Sequence, residues 1–130
     1  MATGILVVTQ PGIGLALVAA AESMLGRLPL QCRAFEVPHG SDPDALLPAA
    51  SAAMRRVDAG DGVLVLVDMH GSAAAQVAAK LARLGTPVKR VAGASLPMLL
   101  RVLDYADKPL EELPAIAAAG ARNGVIHEDG

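Results

Sequence analysis

Asp61-Gly62-Val63-Leu64-Val65-Leu66-Val67-Asp68 is the stretch on which the fold turns. An unbroken aliphatic run follows a turn dipeptide and ends at an acid. A strand wetted on one face alternates apolar and polar residues. A continuous run instead reads as a strand buried on both faces, as in the middle of a parallel sheet.

Upstream, Gly4-Ile5-Leu6-Val7-Val8-Thr9 has the same character and reads as a second buried strand. Gln10-Pro11-Gly12-Ile13-Gly14 breaks it, and an Ala- and Leu-rich helix is predicted from about Gly14 to Leu25, stopped by Gly26. Gln31 to Val37 alternates less cleanly and reads as a strand nearer an edge. Ser41-Asp42-Pro43-Asp44 opens the next helix, with Ser41 as cap, Pro43 in the first turn and Asp44 at the positive end of the dipole. Leu47, Ala50, Met54 and Val57 form its apolar face, and Pro48 is positioned to bend it. Downstream, Gly71 opens a helix running to near Gly85, with Ala74, Val77, Ala78 and Leu81 inward. Val88 to Ala92 is a fourth strand, Leu96-Pro97 starts a helix, Leu110 to Ala121 forms the last one, and Val125-Ile126-His127 can add a short final strand. Strands and helices alternate with short connections. That order specifies an α/β fold, a doubly wound and mainly parallel sheet with helices on both faces. No linker or repeat divides the chain, so residues 1–130 are expected to form one domain.

Composition narrows the function. Hydrophobic residues make up 53% but aromatics only 2%, so the core must be built from small aliphatic side chains. The 11 basic residues are scattered among 13 acidic ones, for a net charge of −2, which argues against nucleic-acid binding. Cys32 is the only cysteine and sits in an apolar stretch; it can form neither an internal disulfide nor a zinc site, and reads as a buried thiol. Ala2 to Gln10 lacks the basic start of a signal peptide, and no apolar run reaches transmembrane length. A cytoplasmic location without membrane insertion is expected.

Ligands of an open parallel sheet bind beyond the carboxyl ends of its strands, near the switch in strand order. Two segments compete for that place: Thr9-Gln10-Pro11-Gly12-Ile13-Gly14 and Asp68-Met69-His70-Gly71-Ser72. Each joins a buried strand to a helix N-terminus, where backbone N–H groups and the dipole favour an anion. A phosphate or phosphoryl group between the loops is therefore expected, held by Gly12, Gly71 and Ser72, with Asp68 as the rim carboxylate and His70 as the nearest imidazole. Plainer readings stand beside these. Gly12 and Gly14 serve a tight turn, Asp68 caps a helix, and His70, His39 and His127 are surface residues. Gly12-x-Gly14 also suits a dinucleotide fingerprint, with Glu36 as the ribose-binding acid. However, Leu17 stands where the third glycine belongs, and the chain is too short for a full dinucleotide domain with a substrate domain. Neither a cofactor nor a metal is expected.

Four stretches in register resemble one known family over nearly the whole chain. They are Gly4–Thr9 with the helix ending Ala21-Glu22-Ser23-Met24-Leu25-Gly26; Gly62–Asp68; Val91-Ala92-Gly93-Ala94-Ser95-Leu96-Pro97-Met98-Leu99; and Gly120-Ala121-Arg122-Asn123-Gly124-Val125. On these the chain resembles the mannose-family enzyme IIA (EIIA-Man) of the bacterial phosphoenolpyruvate:sugar phosphotransferase system. The resemblance implies strand order 2-1-3-4, a homodimer joined near the C-terminus, and a role in sugar transport or in a regulatory branch. It implies a phosphocarrier in which a histidine after the first strand takes a phosphoryl group from HPr and passes it to an enzyme IIB. An aspartate matched by Asp68 orients that histidine. Here Gln10 occupies the histidine position and Pro11 follows it; His70-Gly71-Ser72 replaces an aromatic-Gly-Gly loop, and Ser95 replaces an asparagine. An amide has no basic nitrogen to carry a stable phosphoryl group. Gln10 is expected instead to hold the site by donating its amide to Asp68. Three readings follow: a phosphocarrier or regulatory homologue, an inert module docking HPr or another partner, and a nucleotide- or phosphate-ligand-binding domain. Within the first, His70 is a candidate substitute acceptor.

Overall fold

The computed structural model describes residues 2–29, 31–105 and 107–129. Four parallel strands, β1 (Gly4–Thr9), β2 (Cys32–Glu36), β3 (Val63–Val67) and β4 (Val88–Ala92), form one sheet in the order β2-β1-β3-β4. This is the expected doubly wound architecture. The continuous aliphatic runs explain the placing: every residue of β1 and β3 is buried, whereas β2 and β4, at the edges, are part exposed.

Side-chain alternation along the central strands feeds two separate cores. Ile5, Val7, Leu64 and Leu66 pack against α1 (Gly14–Leu25), α4 (Leu96–Asp104) and α5 (Leu113–Asn123). Leu6, Val8, Val63, Val65 and Val67 pack against α2 (Pro43–Val57) and α3 (Ala73–Leu81). With few bulky residues to hold elements apart, backbones come close: a Cβ on Gly14 would lie 2.9 Å from Thr9 Oγ1 and 3.2 Å from the Ala34 Cβ.

Several element ends differ from expectation for local reasons. Asp42, not Ser41, caps α2, its carboxylate accepting from the Asp44 N–H at 3.0 Å because Asp42 directly precedes the proline that starts the helix. α2 continues through Pro48. Gly71 has φ +83°, which stops it opening α3; Ser72 caps that helix instead. α3 ends at Leu81 rather than near Gly85, and tight turns follow, with Arg83 and Leu84 N–H groups donating to the Lys80 and Leu81 carbonyls. The last helical segment divides into a 3-10 turn at Leu110–Glu112 and α5, where Pro114 suits a first helical turn. Val125-Ile126-His127 forms no strand: Val125 and Ile126 are 79% and 70% exposed and have no ladder partner among the described residues. Cys32 is buried as expected, and burial pushes its thiol up to about 12. Among the described residues no helix is long and apolar enough to cross a membrane.

Candidate functional site

Strand order reverses between β1 and β3, so their carboxyl ends diverge into helices on opposite faces and leave a crevice. In the register of that pair Val8 lies beside Val67, which brings Gln10 and Asp68 to the same rim. They touch, but not through the expected groups. The Gln10 backbone N–H donates to Asp68 Oδ2 at 2.8 Å, across 58 residues of chain. The Gln10 side-chain amide makes no hydrogen bond among the described residues. Asp68 Oδ1 accepts from the Met69 N–H at 2.7 Å and from Ser72 Oγ at 3.0 Å. Ser72 Oγ in turn accepts from the Ala75 N–H at 3.1 Å. One carboxylate thus fixes the start of α3 and ties it to the loop after β1.

The loop before α1 is built by the same rule. Ile13, at the cap position, offers no side-chain oxygen, so the free N–H groups of the first turn need acceptors from elsewhere. Thr9 Oγ1 takes the Gly14 N–H at 2.8 Å and donates to the Gln10 carbonyl at 2.8 Å. Glu36, at the end of β2, supplies two more: Oε1 accepts from the Gly12 N–H at 3.1 Å and Oε2 from the Leu15 N–H at 3.0 Å. These two bonds, Leu15 foremost, hold the Glu36 carboxyl below the usual carboxylate range. Gly12 has φ +88°, a conformation that only glycine adopts without strain.

The other nominated residues lie around this frame. Gly71 is exposed at the turn before Ser72, which is itself buried. His70 is exposed and borders a cleft of about 440 Å³ between α3 and β4, together with Ala75, Arg90 and Ala92. Both Asp68 oxygens are already engaged, and among the described residues neither pairs with the His70 ring. His39 is exposed after β2, and the His127 ring lies in the tail, 3.5 Å from Asp129. Ser95, in place of the family asparagine, caps α4 by accepting from the Met98 N–H at 3.2 Å. From the sequence alone Glu36 is a candidate only as a ribose-binding acid. The available signal was an acid ending a strand next to β1, and it gains meaning only through the pairing of Thr9 with Glu36.

The chain is similar to solved structures over almost all of its length. A mannose/sorbose-specific IIA subunit of the phosphotransferase system from Enterococcus faecalis is 20% identical and superposes with a TM-score of 0.84, covering 99% of this chain and 96% of that one. The component EIIA from Streptococcus agalactiae is 17% identical, with a TM-score of 0.80 and 96% of each chain covered. A IIA protein associated with the fucose utilization operon of Streptococcus pneumoniae is 22% identical, with a TM-score of 0.78 and 98% and 96% covered. At these identities the likeness concerns the fold. No curated protein matches. The family model described as "PTS system fructose IIA component" matches residues 4–117, and on that match, which takes in the four strands and the rim they carry, the chain belongs to the mannose/fructose-type enzyme IIA family of the phosphotransferase system.

Proposed function

We propose that this chain is a regulatory enzyme IIA homologue in phosphoenolpyruvate-dependent phosphotransfer, one that docks HPr or another partner and carries no phosphoryl group at position 10. The supporting observation is the chemistry at Gln10. Its side chain is an amide without a basic nitrogen, and its link to Asp68 runs through the backbone. An enzyme IIB would have nothing to receive from that position. The rim suits protein contact: Ile13, Leu15 and Met69 are exposed apolar side chains flanking it.

The same reading carries a single domain over residues 1–130, a cytoplasmic location and a homodimer. The outer edge of β4, unpaired among the described residues, and the exposed apolar tail at Val125 and Ile126 support self-association. A second reading makes His70 the acceptor, favoured by its exposure one loop from Asp68.

Incubation with enzyme I, HPr and phosphoenolpyruvate, followed by intact mass, separates the two. The expected result is an unchanged mass, together with HPr binding that weakens at least about tenfold on Leu15→Glu, as a charge in an apolar contact costs more than 1.4 kcal/mol. A gain of one acid-labile phosphate, lost in His70→Ala, would establish the second reading. A phosphate retained in His70→Ala would move the acceptor to His39 or His127.

A further inference from the structure

We propose that Glu36 is an internal anion that occupies the N-terminus of α1 and shuts it against external phosphate. The first turn of a 12-residue helix presents N–H groups and the positive end of a dipole, which is where a phosphate would otherwise bind. Here both oxygens of one carboxylate are spent at that helix start, one on Leu15 in the first turn and one on Gly12 in the loop just before it. The Gly14 N–H goes to the Thr9 hydroxyl. The carboxylate is delivered by the β1–β2 register, which sets Glu36 beside Thr9 and points it, like Cys32 four pairs earlier, to the α1 face of the sheet.

Charge around Glu36 favours this arrangement and disfavours a second anion. Glu36 has no ion-pair partner among the described residues, so the two N–H groups and the dipole are its counter-charge. β1 and the loop at 10–13 carry no titratable side chain. The only one on α1 is Glu22, two turns further along; Arg33 alternates to the opposite face of β2, and His39 lies beyond the strand end. On the far side of the loop stands a second carboxylate, Asp68, bonded to the Gln10 N–H. A phosphate entering the crevice would have to displace a tethered acceptor and then sit between two carboxylates. Rotation of Glu36 toward solvent would free Gly12 and Leu15 together, so the contact is an autoinhibitory latch on the loop that carries Gln10. This conclusion does not depend on which partner the chain docks.

Backbone amide spectra of the full chain test it, with inorganic phosphate as the probe at pH 7 and constant ionic strength. In the wild type the Gly12 and Leu15 amides should stay unmoved. In Glu36→Ala they should shift saturably, at phosphate concentrations at least about tenfold below any wild-type response, since the competing charged acceptor is gone. Glu36→Gln preserves the shape of the side chain and supplies a check should the alanine variant misfold; it should respond in the same direction. On acidification without phosphate, the two wild-type amides should titrate together, with a midpoint below the usual carboxylate range, and this joint titration should vanish in Glu36→Gln. Equal phosphate responses in wild type and variants, whether all shift or none does, would overturn the latch. So would wild-type amides that fail to titrate together.

Discussion

Asp68 holds more of the rim together than any other side chain in it. Its carboxylate accepts one bond from across the sheet, at Gln10, and two from its own loop, at Met69 and Ser72. Hydrogen bonds to a charged group contribute roughly 1.5–3 kcal/mol each, and orphaned donors add a penalty. Asp68→Ala is therefore expected to lower the unfolding free energy by about 3 kcal/mol, and Asp68→Asn, which keeps one acceptor oxygen, by about half as much. Gln10→Ala should cost less than about 0.5 kcal/mol, because only its backbone is engaged. Urea unfolding of the three variants checks this ranking. A large loss at Gln10 would mean that its side chain supports the rim after all. Glu36 plays the matching part on the other side of the loop, but from the solvent edge, where a brace can also act as a latch.

At the scale of elements, the ends of helices separate two kinds of construction. α2, α3 and α4 start with caps from their own sequence, Asp42, Ser72 and Ser95. α1 has no such cap and borrows its acceptors from Thr9 and Glu36. Ser72 is the more heavily used of the two serine caps, since it also donates to Asp68. Losing a cap costs typically about 1 kcal/mol. Ser72→Ala should thus destabilise by about 2 kcal/mol, cap and Asp68 bond together, against about 1 kcal/mol for Ser95→Ala. Denaturant midpoints of the two variants measure the difference. Equal losses would show that the Ser72–Asp68 bond contributes nothing.

At the scale of the whole molecule, one sheet divides two aliphatic cores that share β1 and β3. Leu66 belongs to the core on the side of α1, α4 and α5, and Met54 to the core under α2 and α3. Both are fully enclosed, so truncation leaves a cavity that a small-residue core cannot readily fill. Leu66→Ala and Met54→Ala should each lower stability by about 3 kcal/mol. Because the two cores share the central strands, fluorescence-independent probes such as far-ultraviolet dichroism and hydrogen exchange should report one coincident transition in both variants. A separate early transition in Met54→Ala alone would show that the faces unfold independently. The sheet also leaves both of its edges, β2 and β4, unpaired among the described residues, which is where association has room to occur.

By itself the sequence determined the layered parallel fold, the central place of Gly4–Thr9 and Val63–Val67, and the two loops at the rim. Those properties are written locally: an unbroken aliphatic run can be satisfied only by burial on both faces, and prolines, glycines and caps punctuate within a few residues. Even its errors were local, such as Ser41 for Asp42, Gly71 for Ser72, and a final strand at Val125–His127 that has no partner. Only the tertiary structure decided what the rim groups do. Whether Gln10 meets Asp68 by side chain or backbone depends on how two loops 58 residues apart approach each other. Whether Glu36 reaches α1 depends on the β1–β2 register, which sets its carboxylate against Gly12, 24 residues away in the chain. A residue pattern carries periodicity, but hydrogen bonds between distant loops depend on tenths of an ångström, and those distances exist only once the sheet has formed.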